Sequence, residues 1–377
     1  MSDVPATTRK MMSKAKSDGT LDLRLEEIPM PTPKPGELLV RVEASPINPS
    51  DLGLFIGMAD YANATKGGTA ELPTLSMPVP QFARGMYAPR LDQPLTVGNE
   101  GAGIVVAAGS PDHEGMIGRA VAFATGDLYS DYCVVPVPVA IPLPDGVSPR
   151  EGASSFVNPM TALSMTEVMR REGHKALIHT AAASNLGQML NKICIADGIP
   201  LVNIVRKAEQ AEILKGIGAD YVVNSQDDDF FPQLVAAIEA TGATLAFDAV
   251  GGGGLAGSII TAMELGLVKK MDEYSRYGSP VMKQVYIYGR LDLSPSTIPP
   301  SVGMAWGVGG FLLPNFLATI SQEDRMKMGG RVMAQLKTTF ASQYTDEISL
   351  TDVLNPDIIA KYDAKATGTK FLVNPTK

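Results

Sequence analysis

Between Lys175 and Tyr288, five short apolar runs alternate with segments of helical period. That alternation restricts the fold more than any other feature of this 377-residue chain. The apolar runs are Lys175–Thr180, Leu201–Val205, Ala219–Val223, Leu245–Val250 and Gln284–Tyr288. The helical stretches between them are Gly187–Asp197, Ala208–Gly216, Phe230–Thr241 and a helix within Leu255–Tyr274. Strands that are apolar throughout and separated by helices imply a parallel sheet covered on both faces. The expected fold class is therefore α/β, with a doubly wound sheet. Ser148 followed by Pro149 reads as an N-cap and first helical position, opening a helix that runs to about Arg171.

Upstream the pattern changes. From Gly36 to about Leu143, short β-type runs are punctuated by Pro and Gly: Leu38–Val42, Gly103–Ala107, Arg119–Ala122 and Tyr132–Val137. This predicts a β-rich module. Inside it, Ala59–Gln93 shows little periodicity and reads as a long active-site loop or insertion. Helical patterns return from about Pro314, and Thr369–Val373 reads as a strand that rejoins the first module. The expected division is residues 1–152, completed by about 315–377, and a second domain over 153–314.

Composition removes several classes of function. Asp and Glu outnumber Lys and Arg by 40 to 32, which argues against a nucleic acid as partner. Cys133 and Cys194 are the only cysteines, so neither a disulfide framework nor a cysteine-cluster zinc site is expected. Met1–Thr20 holds no apolar run suited to a signal peptide. Leu293–Gln322 is free of charge over 30 positions, but four prolines and four glycines interrupt it, so buried strands and turns are expected rather than a membrane span. The expected setting is the cytoplasm, away from membranes.

The turn after the first strand, Thr180–Gly187, is built of small residues. In a dinucleotide-binding fold such a turn lets backbone N–H groups and a helix N-terminus approach a pyrophosphate. Ala182, Ala183, Ser184, Asn185 and Leu186 are the candidate contacts, with Ala182, Ser184 and Gly187 at the places usually held by glycine. A tight turn without a ligand would look similar. The second strand ends in Arg206-Lys207, where an NAD site would carry a carboxylate. Two cations there suit a 2′-phosphate and hence NADPH, although a solvated pair on a loop is the plainer alternative.

Taken together, Gly36–Ala44, Ser45–Asp51, Gly98–Val105, Val157–Leu163, the Ala181–Gly187 turn and Phe247–Gly252 resemble the medium-chain dehydrogenase/reductase superfamily over nearly the whole chain. The likeness is to its zinc-free quinone oxidoreductase and enoyl reductase branch. It implies a GroES-like catalytic domain and a Rossmann domain that binds NADPH. It also implies cofactor contacts at Thr161, Val250, Gly251, Gly289 and Lys370, and a homodimer paired through Trp306–Phe316. Asn48 and Asn99 stand where zinc-dependent members carry Cys and His; amides replace thiolate and imidazole poorly at zinc, so no metal is expected.

Two residues emerge as catalytic candidates. Tyr61 lies close to where enoyl reductases of this branch carry a tyrosine acid, and reads equally as a packing tyrosine. Asn48 is a donor for a carbonyl oxygen or for the nicotinamide ribose, or a structural turn residue. The expected activity is metal-independent hydride transfer from NADPH to a quinone or an α,β-unsaturated carbonyl, small acceptors that need positioning more than a Lewis acid. The alternatives are an enoyl-thioester reductase and a non-catalytic NADPH-binding redox sensor.

Overall fold

The computed structural model describes residues 4–377. It divides the chain into two units, Met1–Val157 with Met333–Lys377, and Asn158–Val332.

The first unit opens with β1 (Thr7–Ala15), β2 (Thr20–Pro29) and β3 (Glu37–Pro46), followed by α1 (Pro49–Phe55). It continues through β4 (Thr65–Gly68), β5 (Pro73–Pro78), β6 (Pro94–Thr96), β7 (Gly101–Ala108), β8 (Ala120–Phe123), β9 (Tyr132–Pro136), β10 (Ile141–Pro142) and α2 (Pro149–Gly152). One antiparallel sheet has the order β4-β5-β2-β1-β6. Its period-two alternation puts Met11, Ala15, Leu21, Leu23 and Leu25 into a core shared with Phe55 and Tyr129.

Ala59–Gln93 is not a structureless loop. It supplies β4, β5 and a 3₁₀ segment over Gln81–Arg90. Leu75 and Met77 of β5 alternate into the core against β2, a signal masked in the sequence by the prolines around it. The helix expected from Pro149 to Arg171 is likewise two helices, α2 and α3 (Val157–Arg171). The chain breaks between them where the Phe156 and Val157 amides turn to the Glu100 carboxylate, each at 2.8 Å.

The second unit carries β11 (Leu177–Thr180), α4 (Asn185–Asp197), β12 (Leu201–Val205), α5 (Ala208–Ile217), β13 (Tyr221–Asn224), α6 (Phe230–Thr241), β14 (Leu245–Asp248), α7 (Leu255–Val268), β15 (Lys283–Ile287) and β16 (Trp306–Gly310). Its sheet runs β13-β12-β11-β14-β15-β16, parallel throughout. The order reverses at β11, so the crevice beyond the carboxyl ends of β11 and β14 is where this topology binds ligands. α8 (Leu313–Thr319) and α9 (Gln322–Ala334) follow. α9 is tied to this unit by Arg171–Asp324 at 3.0 Å and Arg331–Asp197 at 2.8 Å, so the division falls after Val332 and not near Pro314. The uncharged Leu293–Gln322 stretch contains β16 and α8; among the described residues no helix is long and apolar enough to cross a membrane.

The chain then returns to the first unit with β17 (Asp346–Ile348), α10 (Pro356–Asp363) and β18 (Phe371–Val373). β18 pairs antiparallel with β3 and parallel with β17, closing the sheet β10-β8-β7-β3-β18-β17.

Candidate active site

In the first unit, sequence-distant polar groups meet in the interior. Asn48 caps α1, and its backbone N–H donates to Asp51 Oδ2 at 2.8 Å. Asp51 Oδ1 accepts from the Asn99 N–H at 2.8 Å. The Asn48 side-chain amide donates to Glu100 Oε1 at 2.8 Å, and Glu100 Oε2 takes the Phe156 and Val157 amides. Asn48, Asp51 and Glu100 are all buried.

Lys370, one residue before β18, joins this group. It is buried, and its Nζ has no hydrogen-bond partner. The ammonium lies 5.7 Å from the centre of the Tyr344 ring, whose hydroxyl shares a 2.8 Å hydrogen bond with Ser154. Burial brings the Lys370 amine down to about 8, against the pull of Glu100 and Asp51. Burial raises Asp51 to about 7, despite the two backbone amides that favour its charged form, and Glu100 adds to the rise. Glu100 is also raised by burial, opposed by Lys370. A buried ammonium near two carboxylates is the kind of arrangement that makes proton exchange possible near neutral pH.

The Asn99 side chain donates to Ser50 Oγ at 3.1 Å. Amides committed to Glu100 and Ser50 are not the nitrogen and sulfur donor set that a tetrahedral zinc requires.

Tyr61 stands outside this group. It begins a 3₁₀ turn capped by Asp60, and its charged neighbours are Asp363 and Asp60. Partial burial and the Asp363 carboxylate push its phenol upward, making it a weaker acid.

The second unit holds the cofactor candidates. Ser184 is the N-cap of α4, and its hydroxyl accepts from the Gly187 N–H at 3.2 Å, so the side chain fixes the turn. Gly187 is required sterically: a Cβ there would sit 2.1 Å from the Ala182 carbonyl oxygen. Ala182, Ala183 and Leu186 are buried around this turn, and Asn185 is the first residue of α4. A close-packed turn at the N-terminus of a 13-residue helix fits a pyrophosphate. Arg206 and Lys207 follow β12, both exposed and with no ion pair among the described residues. Thr161 is buried on α3.

At the end of β14, Asp248 secures the chain. It accepts from the Thr180 hydroxyl at 2.7 Å and from the Val250 and Gly251 amides at 2.9 and 3.1 Å. Gly289 lies against this turn, where a Cβ would meet the Ala249 carbonyl oxygen at 2.6 Å. Val250, Gly251 and Gly289 are thus brought together at the carboxyl edge of the sheet. Sequence reading passed over Asp51, Glu100 and Asp248, although all three lie inside the motifs that carried the family resemblance.

Residues 34–145 match the alcohol dehydrogenase GroES-like domain. Bovine prostaglandin reductase-3 is 25% identical over 319 residues, covering 83% of this chain and 74% of that protein. The mitochondrial enoyl-[acyl-carrier-protein] reductase of Caenorhabditis elegans is 28% identical over 212 residues, 54% of this chain and 53% of its own length. Other curated relatives are likewise matched over about half their length. A Mesorhizobium loti structure described as an NADPH:quinone reductase superposes with a TM-score of 0.73 at 25% identity, covering 99% of both chains. Together these matches indicate the medium-chain dehydrogenase/reductase superfamily. Within it, the likeness places this protein in the quinone and enoyl reductase branch.

Proposed function

We propose that the protein is an NADPH-dependent, metal-independent reductase of quinones or α,β-unsaturated carbonyls. The observation that carries the reading is the buried group in the first unit: Asn48 spends its amide on Glu100, and a lone ammonium, Lys370, lacks an acceptor. A cation held there would polarise an oxygen brought against it without a metal. A conjugated carbonyl needs only that, because its carbon is already electrophilic. When bound, the nicotinamide supplies the hydride. The Thr180–Gly187 turn would hold the pyrophosphate, and Arg206 and Lys207 the 2′-phosphate.

NADPH oxidation assayed against quinones, enones and enoyl-CoA esters, with and without chelator, tests this reading. Turnover of a quinone or enone unaffected by chelator is the expected result. Tight NADPH binding without any acceptor activity would instead indicate a sensor.

The uncharged edge strand β16 leaves Trp306 and Val308 each 37% exposed, and Leu312 just beyond it, at the N-cap of α8, is 58% exposed. An apolar edge of this kind is a liability unless covered, and we propose that a second copy covers it. Light scattering at micromolar concentration should give a dimer; a stable monomer refutes it.

A further inference from the structure

Most arginines of the second unit hold their guanidinium against a partner. Arg170 and Arg331 lie on Asp197, Arg171 on Glu167 and Asp324, Arg276 on the Tyr277 hydroxyl and Arg325 on the Ile320 carbonyl. Among the described residues, the side chains of Arg206 and Arg290 have no such partner, and both are exposed. Both also stand at the carboxyl edge of the parallel sheet, Arg206 directly after β12 and Arg290 shortly after β15.

The backbone that carries Arg290 is pinned. On its two sides, the Tyr288 N–H donates to the Asp248 carbonyl at 3.0 Å and the Leu291 N–H to the Ala249 carbonyl at 3.2 Å. The Asp292 N–H reaches the Val250 carbonyl at 2.9 Å, and a Cβ on Gly251 would lie 3.5 Å from the Arg290 Cα. Asp292, although close in the chain, turns Oδ1 to the Ser294 N–H at 2.8 Å and does not pair with Arg290. Arg290 is therefore anchored beside the Val250–Gly251 turn with its head free. A planar guanidinium held that way matches two oxygens of a carboxylate or phosphate.

Strand spacing separates the duties of the two arginines. Neighbouring strands lie about 4.8 Å apart, so β12 and β15, three steps apart in the order β12-β11-β14-β15, are separated by about 14 Å. In the reductase reading the cofactor's phosphates occupy the β12–β11 side, and its nicotinamide end occupies the turn after β14. β15 is one strand further on, where an acceptor approaches the nicotinamide.

We propose that Arg290 is a specificity-determining residue that selects conjugated acceptors carrying an anionic group, a carboxylate or a phosphate. The inference rests on the reductase reading and names its substrate class. Arg290 makes and breaks no covalent bond. Its N–H groups donate to the oxygens of the anion and hold one end of the acceptor while hydride goes to the β-carbon. Neutral quinones and enones lack that second anchor.

Two matched pairs of acceptors test this and identify the anion. 8-Oxo-6-nonenoate against its methyl ester reads a carboxylate, and crotonyl-CoA against crotonyl-N-acetylcysteamine reads a phosphate. In one of the pairs the anionic member should have kcat/KM about tenfold higher, with the difference in KM. Added salt should shrink that ratio by screening. Arg290→Gln should bring it to within about twofold of unity, and Arg290→Lys should retain part of it. NADPH affinity by fluorescence titration, within about twofold of the parent, reports that each variant is folded. Equal kcat/KM within both pairs in the parent, or a preference that survives Arg290→Gln, overturns the proposal and leaves the reductase reading intact. Absence of turnover with all four acceptors refutes the reductase reading, and the proposal with it.

Discussion

Each unit buries a lysine near carboxylates, and the two lysines are treated in opposite ways. In the second unit, Lys283 at the start of β15 is fully buried and sits 2.6 Å from Glu264 of α7. Glu264 also accepts the Ser279 N–H at 2.9 Å. Gly278 and Gly303, at φ +78° and +67°, let the backbone close around that carboxylate; a Cβ at either would fall within 2.7 Å of it. The pair is closed, and it ties α7, β15 and two loops together. In the first unit the carboxylates are just as well held, but by amides, and Lys370 is left open. A closed pair is what a scaffold needs, and an open ammonium is what an incoming oxygen needs.

The largest expected effect tests the closed pair. Breaking a buried ion pair from one side strands a charge and typically costs about 3–5 kcal/mol. Lys283→Met should lose stability on that scale in denaturant unfolding. Lys370→Met has no hydrogen bond to lose and removes a cation that burial disfavours, so it should lose no stability and should gain some at neutral pH. Equal losses would erase the contrast.

The pH dependence of the open group comes next. Asp51 is raised from 3.8 to about 7, so the folded state binds the extra proton between those values. Its stabilising contribution is complete below 3.8 and is lost as pH rises through 7. Lys370 is lowered from 10.5 to about 8, so its contribution is present above 10.5 and is lost as pH falls through 8. The two together predict a dip in stability between about pH 7 and 8, with each pKa unit worth up to about 1.4 kcal/mol. Melting temperatures of wild type and Asp51→Asn across pH 4–10 should diverge on the acid side of that dip. Parallel curves would count against a strained Asp51.

Arg206 and Lys207 extend the comparison to the surface, where cations without a carboxylate are left for water or a ligand. NADPH should bind at least tenfold tighter than NADH, equivalent to ~1.4 kcal/mol. Arg206→Glu should narrow or invert that preference in fluorescence titration. Equal affinities in the parent would assign the pair to solvent.

Much of this was legible in the residues. The β-α alternation from Lys175 to Tyr288 is local and periodic, so the parallel sheet could be read directly. The Ser184–Gly187 turn and the Arg206-Lys207 pair are contiguous in the chain. The site around Lys370 was harder, because Asn48, Asp51, Glu100 and Lys370 meet only when β18 folds back onto β3. The sequence named Asn48 as a donor and, through the family resemblance, Lys370 as a cofactor contact, but not the carboxylates between them. The β4–β5 hairpin was missed for a different reason: β4 is exposed throughout, and Gly and Pro hide the alternation of β5.

The smallest expected effect concerns Tyr61, and it sharpens the contrast between an open donor and an occupied one. A general acid within reach of the α-carbon contributes ~10²–10⁴-fold. Tyr61 is poorly suited to that work, because its phenol is raised by partial burial and by the Asp363 carboxylate beside it. A proton already shared with a carboxylate is harder to surrender than one on an ammonium that has no acceptor. Tyr61→Phe should therefore change kcat/KM by less than about threefold on quinones and enones alike, with NADPH affinity unaltered. A fall of ~100-fold on enones alone would give the proton to Tyr61 and move the protein toward the enoyl reductase mechanism.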